Sequence, residues 1–249
     1  MAIRIKELED YSWFPAILRQ YQMELIGMIV TVFGLYRNVA NIIKTDLKMS
    51  NQTYIIDLCS GSGLPAIYIH QKLEINDLKT LLTDKYPQNV VLENGISYKQ
   101  DSFDINDLNP GADNYYTMYN AFHHLSDDEQ KRLIEKIIDS KSRLMIVEIV
   151  QPTLIDIGLV TFASTLGVLL ICPLIKPHDW KRILFTYILP VNIITVLIDG
   201  YISVFKSISK NDYIKKMHKY FPNNTEIFVS QHTSFPTRII TIKINGTHV

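Results

Sequence analysis

An acid and two glycines follow an apolar run in residues 54–63, a spacing suited to binding a ligand. The run ends at Asp57, and the turn after it contains Gly61 and Gly63. Glycines let the backbone turn tightly and approach a ligand, and a helix that begins at the turn offers unpaired N–H groups. A carboxylate here would repel a pyrophosphate, so the pattern argues against a nicotinamide dinucleotide. The alternative is an ordinary strand-to-helix turn without a ligand.

Two later acids lie where other predicted strands end. Asp84 ends the predicted strand 78–84 and follows the last glycine by about twenty residues, the interval at which a carboxylate binds a ribose diol. Glu148 interrupts the apolar predicted strand 143–150 near the edge where ligands of open α/β sheets bind. The alternatives are a solvated loop acid for Asp84 and a paired structural acid for Glu148.

The adjacent histidines His123 and His124 follow another predicted strand, 114–120. Imidazole accepts a proton near neutral pH, so either side chain is a candidate general base. Packing or capping is the alternative for each of them.

Two of these segments resemble parts of the class I S-adenosylmethionine (SAM)-dependent methyltransferases. The sequence DLCSGSG at 57–63 resembles their first motif, usually D/E-x-G-x-G-x-G, and NAFHHL at 120–125 resembles their fourth-strand segment. The chain departs from the first motif at Cys59, where glycine is usual, and we expect this residue to keep a negative φ. The resemblance covers residues 54–150 and a predicted final hairpin.

The resemblance implies SAM as the cofactor and methyl transfer to a small-molecule acceptor. It implies that Asp57 and the two glycines hold the methionine end of SAM, that Asp84 holds the ribose and that Asn120 lies beside the sulfonium. The implied cofactor-binding residues are Asp57, Cys59, Gly61, Gly63, Asp84, Lys85, Asp101, Ser102 and Asn120, with Asp101 and Ser102 at the adenine.

In this family the N-terminal helices pack across the cofactor site, so we expect them to form the acceptor side of the site. On that basis Trp13, Phe14 and Tyr21 are candidates to line the acceptor pocket, with plain helix packing as an equal alternative. Glu148 and Asp199 are further candidates, the latter because it is the first acid after a long apolar run.

The predicted helices and strands that position these residues indicate a single α/β domain. We expect a Rossmann-like, doubly wound sheet of seven strands with the last strand antiparallel, closed by a hairpin of strands 225–230 and 237–244. Its parts are N-terminal helices in 1–50, a cofactor-binding core in 51–150, a helical insertion between strands five and six in 151–209, and a last helix and hairpin in 210–249.

Two long runs in the insertion, 157–175 and 183–198, contain no charged residue. Three interpretations compete: a cap over the acceptor site, a homodimer surface, and a hairpin anchored in the bilayer. Polar residues within the runs favour a cap or a dimer. The sequence therefore predicts a protein that stays in the soluble fraction without detergent and takes an apolar acceptor, with the link 176–182 at its surface. A membrane-associated enzyme with a lipid-like or quinone-like substrate is the alternative.

The composition of the 249-residue chain limits its partners. Its 25 basic and 25 acidic residues give no net charge, which disfavours nucleic acid as a partner. Two distant cysteines without metal-ligand spacing predict free thiols in a reducing, cytoplasmic setting and no metal site, and residues 1–10 do not resemble a signal peptide. A nucleic-acid or protein methyltransferase lacks support because no Asn/Asp-Pro-Pro-Tyr motif is present. A cyclase that binds SAM without transferring its methyl group is a further alternative.

Overall fold

Seven strands form one sheet in the order β3-β2-β1-β4-β5-β7-β6 in the computed structural model, which describes residues 5–88, 90, 92–222 and 226–246. All strands run parallel except β7, which is antiparallel to both β5 and β6. The strands are β1 Tyr54–Leu58, β2 Lys79–Thr83, β3 Ile96–Tyr98, β4 Tyr115–Tyr119, β5 Arg143–Glu148, β6 Ile227–Ser234 and β7 Thr237–Asn245. The predicted doubly wound sheet with an antiparallel last strand is confirmed; residue 225 of the predicted hairpin lies outside the described residues.

Helices cover both faces of the sheet, as parallel strands require. Apolar side chains of α1, α2 and α3 pack on one face, and those of α4 and α9 pack on the other. Every residue of β4 is buried, since this strand lies in the middle of the sheet. The helices are α1 Ala16–Val32, α2 Arg37–Ser50, α3 Leu64–Leu73, α4 Asp127–Asp139, α5 Leu154–Phe162, α6 Val168–Ile171, α7 Trp180–Ile183, α8 Val191–Lys206 and α9 Lys210–Tyr220.

The helical insertion between β5 and β6 packs on α1. A π-helical segment, Ala163–Gly167, joins α5 to α6, and a second one, Leu184–Ile188, follows α7. Buried apolar residues from α1, α6 and α8 form one cluster that holds the insertion in place: Leu25, Ile29, Val168, Ile171, Cys172, Ile175 and Val196.

One described helical stretch, Leu154–Leu174, is long and apolar enough to cross a membrane, with 21 residues and a mean hydropathy of 2.2. Two bent helix pairs meet the same criterion only if each pair is counted as one span: α1 with α2, and Trp180–Ile188 with α8. In this structure α5 and α6 lie against the rest of the chain along one side only.

The sheet places its ligand-binding edge at the β1–α3 turn. β1 pairs with β2 on one side and with β4 on the other, so the chain's connections diverge here and leave a crevice at the carboxyl ends of these strands. The glycine turn 59–63, the segment after β2 and the segment after β4 all begin at this edge.

Candidate functional site

A cavity of about 690 Å³ lies at the carboxyl edge of the strands. The glycine turn, the ends of β2 and β4, and residues 5–10 contribute its polar lining, while α1, α5 and α8 contribute apolar side chains. Among the described residues that line the cavity, seven are acids and three are lysines, and this excess of acids suits a cationic ligand. The acids are Glu7, Glu9, Asp10, Asp84, Asp104, Glu129 and Asp156, and the lysines are Lys6, Lys85 and Lys206.

The β1–α3 turn has a left-handed backbone at three of its residues. Cys59 has a φ of 56°, Gly61 of 52° and Gly63 of 72°. A side chain at Gly63 would place its Cβ 2.7 Å from Leu82, so this position needs glycine. The expected negative φ at Cys59 is wrong. The chain reverses at this residue so that the Ser60 N–H can donate to the Thr83 carbonyl at 2.9 Å, which explains why the family motif usually has glycine there.

Asp84 connects the turn to the end of β2. One carboxylate oxygen accepts the Gly61 N–H at 2.8 Å and the other accepts the Tyr86 N–H at 2.7 Å. Burial raises the pKa of Asp84, although these two N–H groups act in the opposite direction. The guanidinium of Arg19 lies 4.0 Å from the centre of the Tyr86 ring. Asp84 is among the residues that line the cavity.

Asp57 lies beneath the turn and is not among the cavity-lining residues. The Thr117 hydroxyl donates to its carboxylate at 2.6 Å, and the side chain is almost wholly buried. Burial raises the pKa of Asp57 to about 7, against the lowering effect of the Thr117 and Ser60 hydrogen bonds.

The segment after β3 contributes to the cavity beyond the residues predicted there. Asp101 and Ser102 are exposed, and the Ser102 hydroxyl donates to the Lys85 carbonyl at 2.7 Å. The residues of this segment that line the cavity are Phe103, Asp104, Ile105 and Asn106. Lys85 also lines it and forms an ion pair with Asp104 at 2.9 Å.

Asn120 ends β4 in a left-handed conformation with a φ of 52°. Its side-chain oxygen accepts the Ile149 N–H at 2.9 Å, which ties the end of β4 to the end of β5. Asn120 lines the cavity together with the two histidines that follow it.

The two histidines lie in a buried cluster of acids. His123 Nδ1 lies 2.6 Å from a carboxylate oxygen of Glu148, and His124 Nδ1 lies 3.1 Å from Asp10. Burial lowers the pKa of His124, but the carboxylates of Glu7, Asp10 and Glu9 prevail and raise it to about 9. These carboxylates therefore favour the protonated form of His124.

Residues 7–10 are held against α8. The Ser203 hydroxyl and the Lys206 ammonium donate to Glu7 at 2.9 and 3.1 Å, and the N–H of Leu8 donates to Asp199 at 2.6 Å. The sequence predicted no site role for this segment. Its signal is three acids within four positions, Glu7, Glu9 and Asp10, and it is weak because nothing local indicates what the acids contact.

The residues predicted for the acceptor pocket lie elsewhere. Trp13 is 66% exposed, Phe14 is buried among its neighbours, and the Tyr21 hydroxyl donates to Asp179. Asp199 is buried and bound to residues 8 and 9 and to Gln22, and Glu148 lies behind His123. None of these five side chains is among the described residues lining the cavity. The apolar lining comes instead from Ile26, Ile29, Val30, Leu159, Val160, Phe162 and Val196.

Comparison with known proteins supports the fold. No family model and no curated protein sequence matches the chain. The plantazolicin methyltransferase BpumL in complex with SAH superposes with a TM-score of 0.54 at 9% identity, over 93% of this chain and 96% of that chain. Human N-acetylserotonin methyltransferase in complex with SAM gives 0.50 at 14% identity, over 90% of this chain and 56% of that chain.

The chain has the class I SAM-dependent methyltransferase fold. It spans about half the length of the human enzyme and nearly the whole of BpumL. Within the methyltransferase fold, the cavity lies at the sheet edge where open α/β folds bind ligands. The cavity is lined by carboxylates, two imidazoles and apolar side chains.

Proposed function

We propose that this protein transfers a methyl group from SAM to a small, largely apolar acceptor. The observation that carries the proposal is a shared cavity: Asp84, Gly61 and Asn120 line it together with His123 and the apolar residues of α1 and α5. A cofactor site and an acceptor site must adjoin for direct group transfer, and this cavity is large enough for both.

The side chains present fit a cationic nucleoside cofactor. The acids that line the cavity outnumber its lysines, and the buried Asp84 carboxylate is placed to accept hydrogen bonds from a diol. Gly61 has a φ of 52°, and a Cβ there would lie 3.1 Å from Met23 Sδ, so a side chain at this position of the turn would be strained and crowded against Met23. Cys59, Lys85 and Asn120 are further proposed cofactor residues that line the cavity. Asp57, Gly63, Asp101 and Ser102 are proposed to act from outside its lining, with Asp57 beneath the turn.

In this proposal SAM supplies an electrophilic methyl group, and the chain positions the acceptor and removes its proton. His123 acts as the base, because Glu148 holds Nδ1 and leaves Nε2 towards the cavity. The apolar wall excludes water from the acceptor, and Asn120, which precedes the histidines, ties the end of β4 to the end of β5.

Calorimetry and product analysis test the proposal. SAM and its demethylated product should bind in the micromolar range and NAD should not bind. Incubation with SAM and a panel of apolar hydroxyl, amine and thiol compounds should release the demethylated product only with an accepted substrate. Absence of SAM binding would refute the methyltransferase proposal, whereas binding with conversion of a substrate and no methyl loss would identify a cyclase.

A second candidate, an enzyme that takes a lipid-like acceptor at a membrane surface, is favoured by one observation. The residues Phe162, Leu166, Leu170 and Leu174 recur every four positions along α5 and α6 and are 50–67% exposed. An apolar stripe of this kind on a protein surface is typical of a contact with lipid or protein.

Sedimentation with phosphatidylcholine vesicles distinguishes the two candidates. A cap over an apolar acceptor predicts protein in the supernatant, and the membrane-associated candidate predicts pelleting that resists high salt and is lost in the double variant Leu166→Glu, Leu170→Glu. Met49→Glu is the matched control, because Met49 is 76% exposed on α2, away from the insertion. A homodimer that buries the stripe would stay in the supernatant at twice the monomer mass in analytical ultracentrifugation.

A further inference from the structure

Three side chains in the cavity point their donor atoms towards one place. His123 Nε2 lies 3.7 Å from one carboxylate oxygen of Glu7, and His124 Nε2 lies 3.5 Å from the other. The three donor atoms lie within 4.8 Å of one another. These distances exceed those of hydrogen bonds. They are close to the spacing of about 3.3 Å expected between two ligands of one tetrahedral ion whose bonds are about 2.0–2.1 Å long.

One of these donor atoms is buried without a partner. The His123 side chain is 3% exposed, and its Nε2 has no hydrogen-bond partner among the described residues. A buried polar atom that is left unpaired is uncommon and needs an explanation, such as an ion. His123 Nε2 faces the Glu7 carboxylate across 3.7 Å, which is too far for a hydrogen bond.

The surroundings of the three groups match those of metal ligands. Histidines that bind metals usually donate their second ring N–H to a carboxylate, which fixes the tautomer and the ring orientation. Both histidines show this arrangement, with Nδ1 of His123 on Glu148 and Nδ1 of His124 on Asp10. The hydroxyl of Ser203 likewise holds the Glu7 carboxylate.

We propose that Glu7, His123 and His124 bind a divalent transition-metal ion, with Zn²⁺ the best match. Two imidazole nitrogens and one carboxylate oxygen form a ligand set used by catalytic zinc sites, in which the fourth position stays open. All three residues line the cavity, so the open position is reached from it. The sequence predicted no metal site, since 116 positions separate Glu7 from His123.

The ammonium of Lys206 also contacts Glu7, at 3.1 Å. An ion bound there shares this carboxylate with a positive charge, so the affinity for Zn²⁺ should be lower than in structural zinc sites.

Proton acceptance and metal binding use the same Nε2 lone pair of His123. In the metal-bound protein an acceptor hydroxyl that coordinates the ion loses its proton to solvent. This last consequence rests on the proposed methyl transfer, whereas metal binding itself does not.

Titration of the full-length protein tests the site. Protein stripped with a chelator and then dialysed is titrated with Zn²⁺ by calorimetry and with Co²⁺ by visible absorption, which reports tetrahedral coordination. One ion per chain should bind. Glu7→Gln and His124→Asn should each weaken Zn²⁺ binding by about tenfold or more, and Glu148→Gln should weaken it by a similar factor through His123. His178→Asn is the matched control, because His178 is exposed in the link before α7.

Equal weakening in the His178→Asn control, or stoichiometric binding that survives in both Glu7→Gln and His124→Asn, would overturn the proposal. So would the absence of saturable Zn²⁺ binding in the parent protein. Circular dichroism confirms that each variant is folded. SAM titrated into the same stripped protein reports the cofactor site separately, so failure of metal binding and failure of the proposed methyl transfer are told apart.

Discussion

The acid that ends β5, Glu148, holds the imidazole of His123. Nδ1 of His123 lies 2.6 Å from one carboxylate oxygen, and the other oxygen accepts the Phe122 N–H at 2.9 Å. The backbone and the ring are therefore fixed by the same side chain, which is almost wholly buried. This pairing presents Nε2 to the cavity and assigns Glu148 to positioning rather than to contact with a ligand.

Replacement of His123 by alanine tests its role as base. Turnover of methyl transfer should fall about a hundredfold or more while SAM affinity stays nearly unchanged, because the imidazole acts on the acceptor proton. His124→Ala is made in parallel, and His178→Ala is the control. Steady-state kinetics and calorimetry give the two quantities. Full turnover in both the His123 and His124 variants would mean that positioning alone carries the reaction.

Asp84→Ala should weaken SAM binding by about 1–3 kcal/mol, since buried ribose hydroxyls would lose a charged acceptor. The Gly61 and Tyr86 N–H groups lose their acceptor in the same variant. Asp84→Asn keeps one side-chain oxygen as an acceptor but removes the negative charge. It therefore separates the loss of the charged acceptor for the ribose from the loss of the acceptor for the two N–H groups. The measurement is calorimetric, with Asp139→Ala at the exposed end of α4 as control. Unchanged affinity in both Asp84 variants would remove this residue from the cofactor site.

The raised pKa of Asp57 predicts a dependence of stability on pH. The folded protein holds this proton up to about pH 7, whereas the unfolded chain loses it near pH 4. The contribution of Asp57 to the free energy of unfolding is therefore full below pH 4, falls as pH rises to about 7, and is constant above it.

In Asp57→Asn this fall is absent. Its free energy of unfolding relative to the parent protein should rise by up to about 4 kcal/mol between pH 4 and pH 7.5, because each pH unit between the two pKa values costs about 1.4 kcal/mol. Urea denaturation at several pH values measures the difference. Parallel curves for the two proteins would contradict the assignment.

Because the backbone at Cys59 is left-handed, the size and shape of the side chain at this position should affect the stability of the protein. Cys59→Gly removes strain of about 1–2 kcal/mol but gives the unfolded chain more freedom, so stability should change by less than about 1 kcal/mol. Cys59→Val should destabilise clearly, because a β-branched residue is poorly tolerated at a φ of 56°. Thermal denaturation measures both. Equal stability of the valine and glycine variants would argue against the left-handed turn.

The sequence was sufficient for the sheet and for the edge of the sheet that lines the cavity, because their signals are local. An apolar run, a glycine turn and an acid at a fixed interval identified β1, the turn and Asp84. Trp13 and Tyr21 show where such reasoning fails: helical spacing indicates that a side chain is buried or exposed, but not which neighbour it contacts. Glu7 could not be found, because its partners lie on α8 and its role depends on contacts formed only in the folded chain.

The contact between Glu7 and α8 also has a consequence for the order in which the cavity forms during synthesis. Glu7 is separated from Ser203 by 196 residues and from Lys206 by 199. A ribosome adds about 5–20 residues per second, so the segment around Glu7 waits about ten seconds or more before α8 is made. During that interval β1 to β5 can form, but the acids at 7–10 have no α8 to bind. The histidine side of the cavity therefore closes on a nascent chain only after α8 is made, and Pro236 and Thr237, which also line the cavity, are added later still.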